Sequence, residues 1–182
     1  QTLVRRPETA KHLKAIVTNG GNFADVHPTR IGWNLRYDPV AAATVARSQA
    51  QWVLLSEHIH GLHGLTPDDV QQIATRGLPT TDIIMLAIQE WRRNKKGCTA
   101  ESIPHLSDLN VFAYLLGGIV QTKPGRAHMI VGPRPTTADL RIEYDENGPH
   151  LIGWNSSEEK GEALHKLFMQ RLLAPPGSGK RG

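Results

Sequence analysis

A single cysteine, Cys98, leaves this chain without an internal disulfide, which fits a reducing, cytoplasmic setting. Aromatic side chains make up only 5% and do not interleave with the basic ones, so the stacking platforms of single-strand binders are missing. No apolar run approaches the roughly 18 to 20 residues that a membrane span needs. The opening QTLVRRPETAKH has no apolar core and no small-residue cleavage site, so it does not read as a secretory signal. Charge of one sign is not abundant either. The net charge is +4, far from the footprint of a dedicated nucleic-acid binder. Neither nucleic acid nor a membrane is expected as a partner. What remains is 182 residues, 39% hydrophobic and 21% charged, the composition of one soluble globular domain.

The pattern alternates between helices and strands. PETAKHLK puts proline at a first helical position, and the run AIVT after it reads as a buried strand stopped by Gly20-Gly21. A polar loop is expected up to Asn34. Asp38 caps an alanine-rich helix, PVAAATVARS, with Pro39 at its first position. WVLL, residues 52–55, is the next strand. Thr66-Pro67-Asp68-Asp69 opens a helix that Gly77 ends, and a longer one runs from Thr80 to Lys96 with Ile84, Ala87, Ile88 and Trp91 on one face. SDLNVFAYLLGG reads as a short apolar helix stopped by Gly117. ADLRIEY alternates strictly and is followed by the turn DENG and the strand PHLIGWN, which predicts a hairpin of these two strands. A last helix, Glu158 to Leu173, turns Leu164, Leu167, Phe168 and Leu172 inward, and residues 174–182 read as a flexible tail after a domain of residues 1–173. The fold class this predicts is α/β, Rossmann-like, with a mostly parallel sheet, flanking helices and an antiparallel hairpin near the end.

Three motifs invite chemistry and fall short. APPGSGKRG lacks the first glycine, the final serine or threonine and the following helix of a phosphate loop. His58, His60 and His63 could share a face as metal ligands, but no further ligand stands at a recognised spacing. Arg92, Arg93, Lys95 and Lys96 suit a helix C-terminus without any phosphate.

Two longer segments carry more. In GWNLRYDPVAAATVARS, Asn34 stands four residues before Asp38-Pro39. In LSDLNVFAYLLGGIVQTKPGRAHMIVG, the stretch Ser107 to Leu116 is followed by TKPGR at Thr122 to Arg126. With RRPETAKHLKAIVTNGG and WVLLSEHIHGLHGLTPDDVQQI, and in this order, they resemble the nucleoside hydrolase family of inosine-uridine-preferring N-ribohydrolases, over its C-terminal part. The resemblance implies a nucleoside-hydrolase-like sheet completed by a companion chain that carries the N-terminal half, with higher homo-oligomers open. It implies a Ca²⁺ site to which Asp108 contributes, since carboxylate oxygen suits a hard cation. It also implies a small-molecule ligand held by Asn34, Trp33 and Asp25, and cleavage of an N-glycosidic bond.

The departures from the family pattern are specific. Its ribose-binding glutamate is Gly32 here, its leaving-group histidine is Ser107, and its aspartate-rich N-terminal loop has no counterpart in the sequence. A serine cannot protonate a departing base as an imidazolium can. His105, two residues earlier, takes that part only if the local backbone turns. Asp108, read alone, fits a helix N-cap as well. A non-hydrolytic, repurposed pocket is therefore the alternative to hydrolysis, with Arg30, Trp33 and Arg36 beside it, and an inert supporting subunit is a third reading.

Overall fold

The computed structural model describes residues 2–21, 23, 31–60, 64–106, 108–133 and 138–175, with backbone alone at 58, 60, 154–156 and 158. The chain divides into two compact units, one of residues 1–61 and 107–157, the other of residues 62–106 and 158–182. No helix among the described residues is long and apolar enough to cross a membrane.

The first unit is built on a five-stranded sheet. Its strands are β1 (Ile16–Asn19), β2 (Trp52–His60), β3 (Val120–Val131), β4 (Ala138–Tyr144) and β5 (His150–Ser156), in the order β1-β2-β5-β3-β4. β1 pairs parallel with β2, and β2 with β5, while β3 runs antiparallel to both its neighbours. Four strands therefore point one way and β3 alone the other, which is the mostly parallel α/β class that the pattern predicts. Val53, Leu54 and Leu55 are fully buried, as the continuous apolar run of a central parallel strand requires.

The antiparallel hairpin is present, but its strands differ from the expected pair. β4 pairs with β3, not with β5: Ala127 faces Ile142 and Met129 faces Leu140. The far half of β3 pairs with β5, Lys123 facing Ile152. Gly125 pairs with Tyr144 on one edge and His150 on the other, so the DENG turn carries the chain across β3 at that residue. A Cβ on Gly125 would stand 2.7 Å from the Glu143 carbonyl oxygen, so only glycine allows the crossing.

Helices α1 (Thr2–Arg5), α2 (Trp33–Tyr37), α3 (Pro39–Arg47) and α6 (Leu109–Leu115) complete this unit, with a 3-10 turn at Pro7–His12 where PETAKHLK predicts a helix. Asp38 caps α3 as expected, its Oδ1 accepting the Ala41 N–H at 2.9 Å. The expected loop up to Asn34 ends earlier, because Trp33 already begins α2. The strand expected at 52–55 continues to His60. Ala42 and Ala43 of α3 join Leu54, Ala127, Met129, Leu140, Ile142 and Ile152 in one core. Burial first of all holds His150 below its ordinary pKa. Its Nδ1 accepts the Trp52 N–H at 3.3 Å, so Nε2 carries the proton toward the Ala46 carbonyl at 3.1 Å.

The second unit holds α4 (Pro67–Arg76), α5 (Pro79–Asn94) and α7 (Glu158–Leu172) around Leu65, Ile73, Ile88 and Met169. The helix start expected at Thr66-Pro67-Asp68-Asp69 is present, with Thr66 and Asp69 forming a capping box, and Gly77 ends α4 at φ +67°. Ala87, expected inward on α5, is exposed, and Thr81 is buried instead. Asp69 is buried, and its Oδ2 accepts from the Thr66 hydroxyl at 2.7 Å and lies 2.8 Å from His165 Nε2. Burial alone would raise its pKa; the hydrogen bonds from Thr66 and His165 outweigh that and hold it below 3.8.

Candidate functional site

In a parallel sheet the chemistry gathers where the strands end at their carboxyl side. In the first unit β1 ends at Asn19, and the unbroken buried run of β2 ends beside it at Ser56, with half-buried Glu57 next. Gly20 continues β1 by donating to the Leu55 carbonyl at 2.9 Å, and Glu57 donates its own N–H to Gly21 at 2.9 Å. The two strand ends are thereby stitched together.

Two helices begin against them. α6 packs on β1 and β2. Its Asn110 is buried and donates through Nδ2 to the Ser56 carbonyl at 3.0 Å and to Asn19 Oδ1 at 3.4 Å. Asn34 of α2 donates through Nδ2 to the Asn19 carbonyl at 3.0 Å. Three asparagines from a strand and two helices thus share one hydrogen-bond network. The Glu57 carboxylate accepts the backbone N–H groups of Trp33 at 3.2 Å and of Asn34 at 3.3 Å. It stands over Gly32, where an added Cβ would overlap it and would also lie 2.5 Å from the Gly21 nitrogen.

The expected site residues fall as follows. Asn34 and Trp33 lie side by side on α2, exposed, with Trp33 edge-on to Tyr37 at 6.0 Å between ring centroids. Asp108 is exposed at the N-terminal end of α6, two residues before Asn110, so its helix belongs to the same network. It occupies the cap position without a side-chain cap hydrogen bond, so the cap reading of its carboxylate is not what the structure shows. His105 is exposed and belongs to the second unit. Asp25, Arg30 and Ser107 lie outside the described residues, as does His63 of the histidine cluster.

Glu57, Asn19 and Asn110 were not among the expected site residues. The one signal for Glu57 is its place just after the apolar run of β2; nothing local marks Asn110, whose partners are 54 and 91 residues away. Among the described residues no group of three or more His, Cys, Asp or Glu could hold a metal ion. Calcium takes six to eight oxygens, so Asp108 with these neighbours does not by itself make its site. Two cavities of this unit, of about 560 and 270 Å3, are lined by other residues, Lys11 and Arg47 in the first and Arg126 and His150 in the second.

No protein-family model matches the chain, and no curated protein sequence matches it. Solved structures do. An inosine-uridine preferring nucleoside hydrolase from Bacillus anthracis matches with a TM-score of 0.60 at 22% identity, over 94% of this chain and 55% of that one. A purine-preferring ribonucleoside hydrolase from Gardnerella vaginalis matches with a TM-score of 0.70 at 17% identity, over the same shares, 94% and 55%. The chain thus spans about 55% of the length of these two neighbours, and its fold is nucleoside-hydrolase-like.

Proposed function

We propose that this chain carries part of a nucleoside site and, with a companion chain supplying the N-terminal half of the domain, hydrolyses an N-glycosidic bond. The observation that carries the reading is the Asn19–Asn34–Asn110 network at the strand ends, on a fold shared with two nucleoside hydrolases. In this reading Asn34 holds sugar hydroxyls, Trp33 and Asp25 line the ligand, and Asp108 is one ligand of a Ca²⁺ ion whose others come from the companion. The exposed apolar side chains Phe112 and Leu115 of α6, and Leu116 just after it, offer such a companion a surface to pack on. The setting proposed is cytoplasmic, and assembly into higher homo-oligomers is compatible with it.

A second reading keeps the site and drops the hydrolysis. It is favoured by serine at position 107 and by Glu57 filling the space over Gly32, which together change the groups offered to a ligand. One experiment separates the two. The natively purified protein is measured by intact mass spectrometry and elemental analysis, then assayed for release of base from inosine, with Asp108→Ala as control. A co-purifying chain, stoichiometric calcium and Asp108-dependent release support hydrolysis. Inosine binding without release supports the second reading, and no binding of inosine overturns the nucleoside site.

A further inference from the structure

The Glu57 carboxylate reaches from the sheet into the turn that carries Asn34. Its two oxygens accept two successive amides, those of Trp33 and Asn34, on a helix of only five residues. Such a short helix has little stability of its own, so its first turn stays where outside contacts hold it. Gly32 gives the carboxylate room: a side chain there would take the same space. Asn34 in turn reaches the Asn19 carbonyl only from that first turn. The Glu57 backbone N–H, bonded to Gly21, ties the same residue to the loop that follows β1.

We propose that Glu57 is a positioning residue: it clamps the first turn of α2 to β2 and so fixes the Asn34 side chain on Asn19 for ligand binding. The part concerning ligand rests on the nucleoside reading above; the part concerning Asn34 does not. Glu57 and Asn34 then act as one unit, and their effects on binding are not additive.

The test uses the natively purified protein and inosine as probe, in wild type, Glu57→Gln, Asn34→Ala and the double variant. Glu57→Gln keeps the shape of the side chain and turns one acceptor into a donor that faces a backbone N–H. Two readings are taken: proton exchange at the Asn34 side-chain amide by NMR, and inosine affinity by calorimetry. The expected result is faster exchange at the Asn34 amide in Glu57→Gln. Inosine affinity falls about tenfold in each single variant, and the double variant binds no more weakly than Asn34→Ala alone. An unchanged Asn34 amide, or losses that multiply in the double variant, overturns the proposal. If wild type does not bind inosine, the nucleoside reading fails, and the amide exchange still decides whether Glu57 positions Asn34. Should Glu57→Gln not fold, Glu57→Asp, which keeps the charge on a shorter arm, is read in the same way: faster exchange supports the clamp, and unchanged exchange overturns it.

Discussion

Asn110 bridges the ends of two strands: its single amide nitrogen reaches the Asn19 side chain at 3.4 Å and the Ser56 carbonyl at 3.0 Å. The amide is buried, so its removal takes a donor from both the Asn19 side chain and the Ser56 carbonyl. Asn110→Ala is expected to lower stability by about 1–3 kcal/mol, the cost of taking away a buried hydrogen-bonding side chain. Urea unfolding followed by tryptophan fluorescence measures it. A loss below about 0.5 kcal/mol, the size of an ordinary surface substitution, would show that the network does not hold the strand ends.

Gly32→Ala forces a Cβ against the Glu57 carboxylate and to 2.5 Å from the Gly21 nitrogen. The neighbour on one side is backbone, which cannot swing away. Overpacking of this kind costs about 1–3 kcal/mol. A crystal structure or NMR spectrum of the variant is expected to show α2 displaced from β2, and an unaltered α2 would refute the tight fit.

Asp69 gives a pH dependence with a definite sign. Its pKa is lowered in the folded protein, so the stability it contributes is present above the ordinary value of 3.8 and is lost as pH falls through the lower folded value. Acid unfolding of the second unit is expected to steepen below that pH. Asp69→Asn, which keeps the shape but not the charge, is expected to flatten the slope and to cost about 1–3 kcal/mol at neutral pH through the weakened Thr66 and His165 bonds. A slope equal to wild type would exclude Asp69 as its source.

His150 acts at higher pH and in the same direction. Burial, the largest cause, favours its neutral form, so the unfolded chain binds the proton more readily than the folded one. Stability is therefore expected to fall as pH drops below the ordinary value of 6.5, levelling off beneath the folded pKa. Thermal melts across this range, in wild type and His150→Gln, check it: the variant should lose the dependence, and its persistence would move the cause elsewhere.

Local signals served well where the interaction itself is local. The Asp38 cap, the Thr66–Asp69 box and the left-handed Gly77 each lie within a few residues of what they do, and the buried run at 53–55 announces a central strand. The failures share a cause of the opposite kind. β3 has no clear strand signal because Pro124 and Gly125 interrupt it, and its alternation of buried residues begins only at Gly125. β4 and β5 look like a hairpin because the turn between them is short; only the inserted β3, distant from β5 in sequence, shows that they lie on opposite edges. At the site, Asn34 and Asp108 came from a resemblance carried by order and spacing. Glu57 and Asn110 act through partners 23 to 91 residues away, and no periodicity encodes such a contact.

The most direct test of the account is calorimetric titration of inosine into the natively purified protein, in wild type, Asn34→Ala and Asp108→Ala. Saturable binding that weakens at least about tenfold in both variants is the predicted result, since it places the ligand at the carboxyl ends of β1 and β2. Absence of binding in wild type, or equal affinity in all three proteins, would contradict a nucleoside site there.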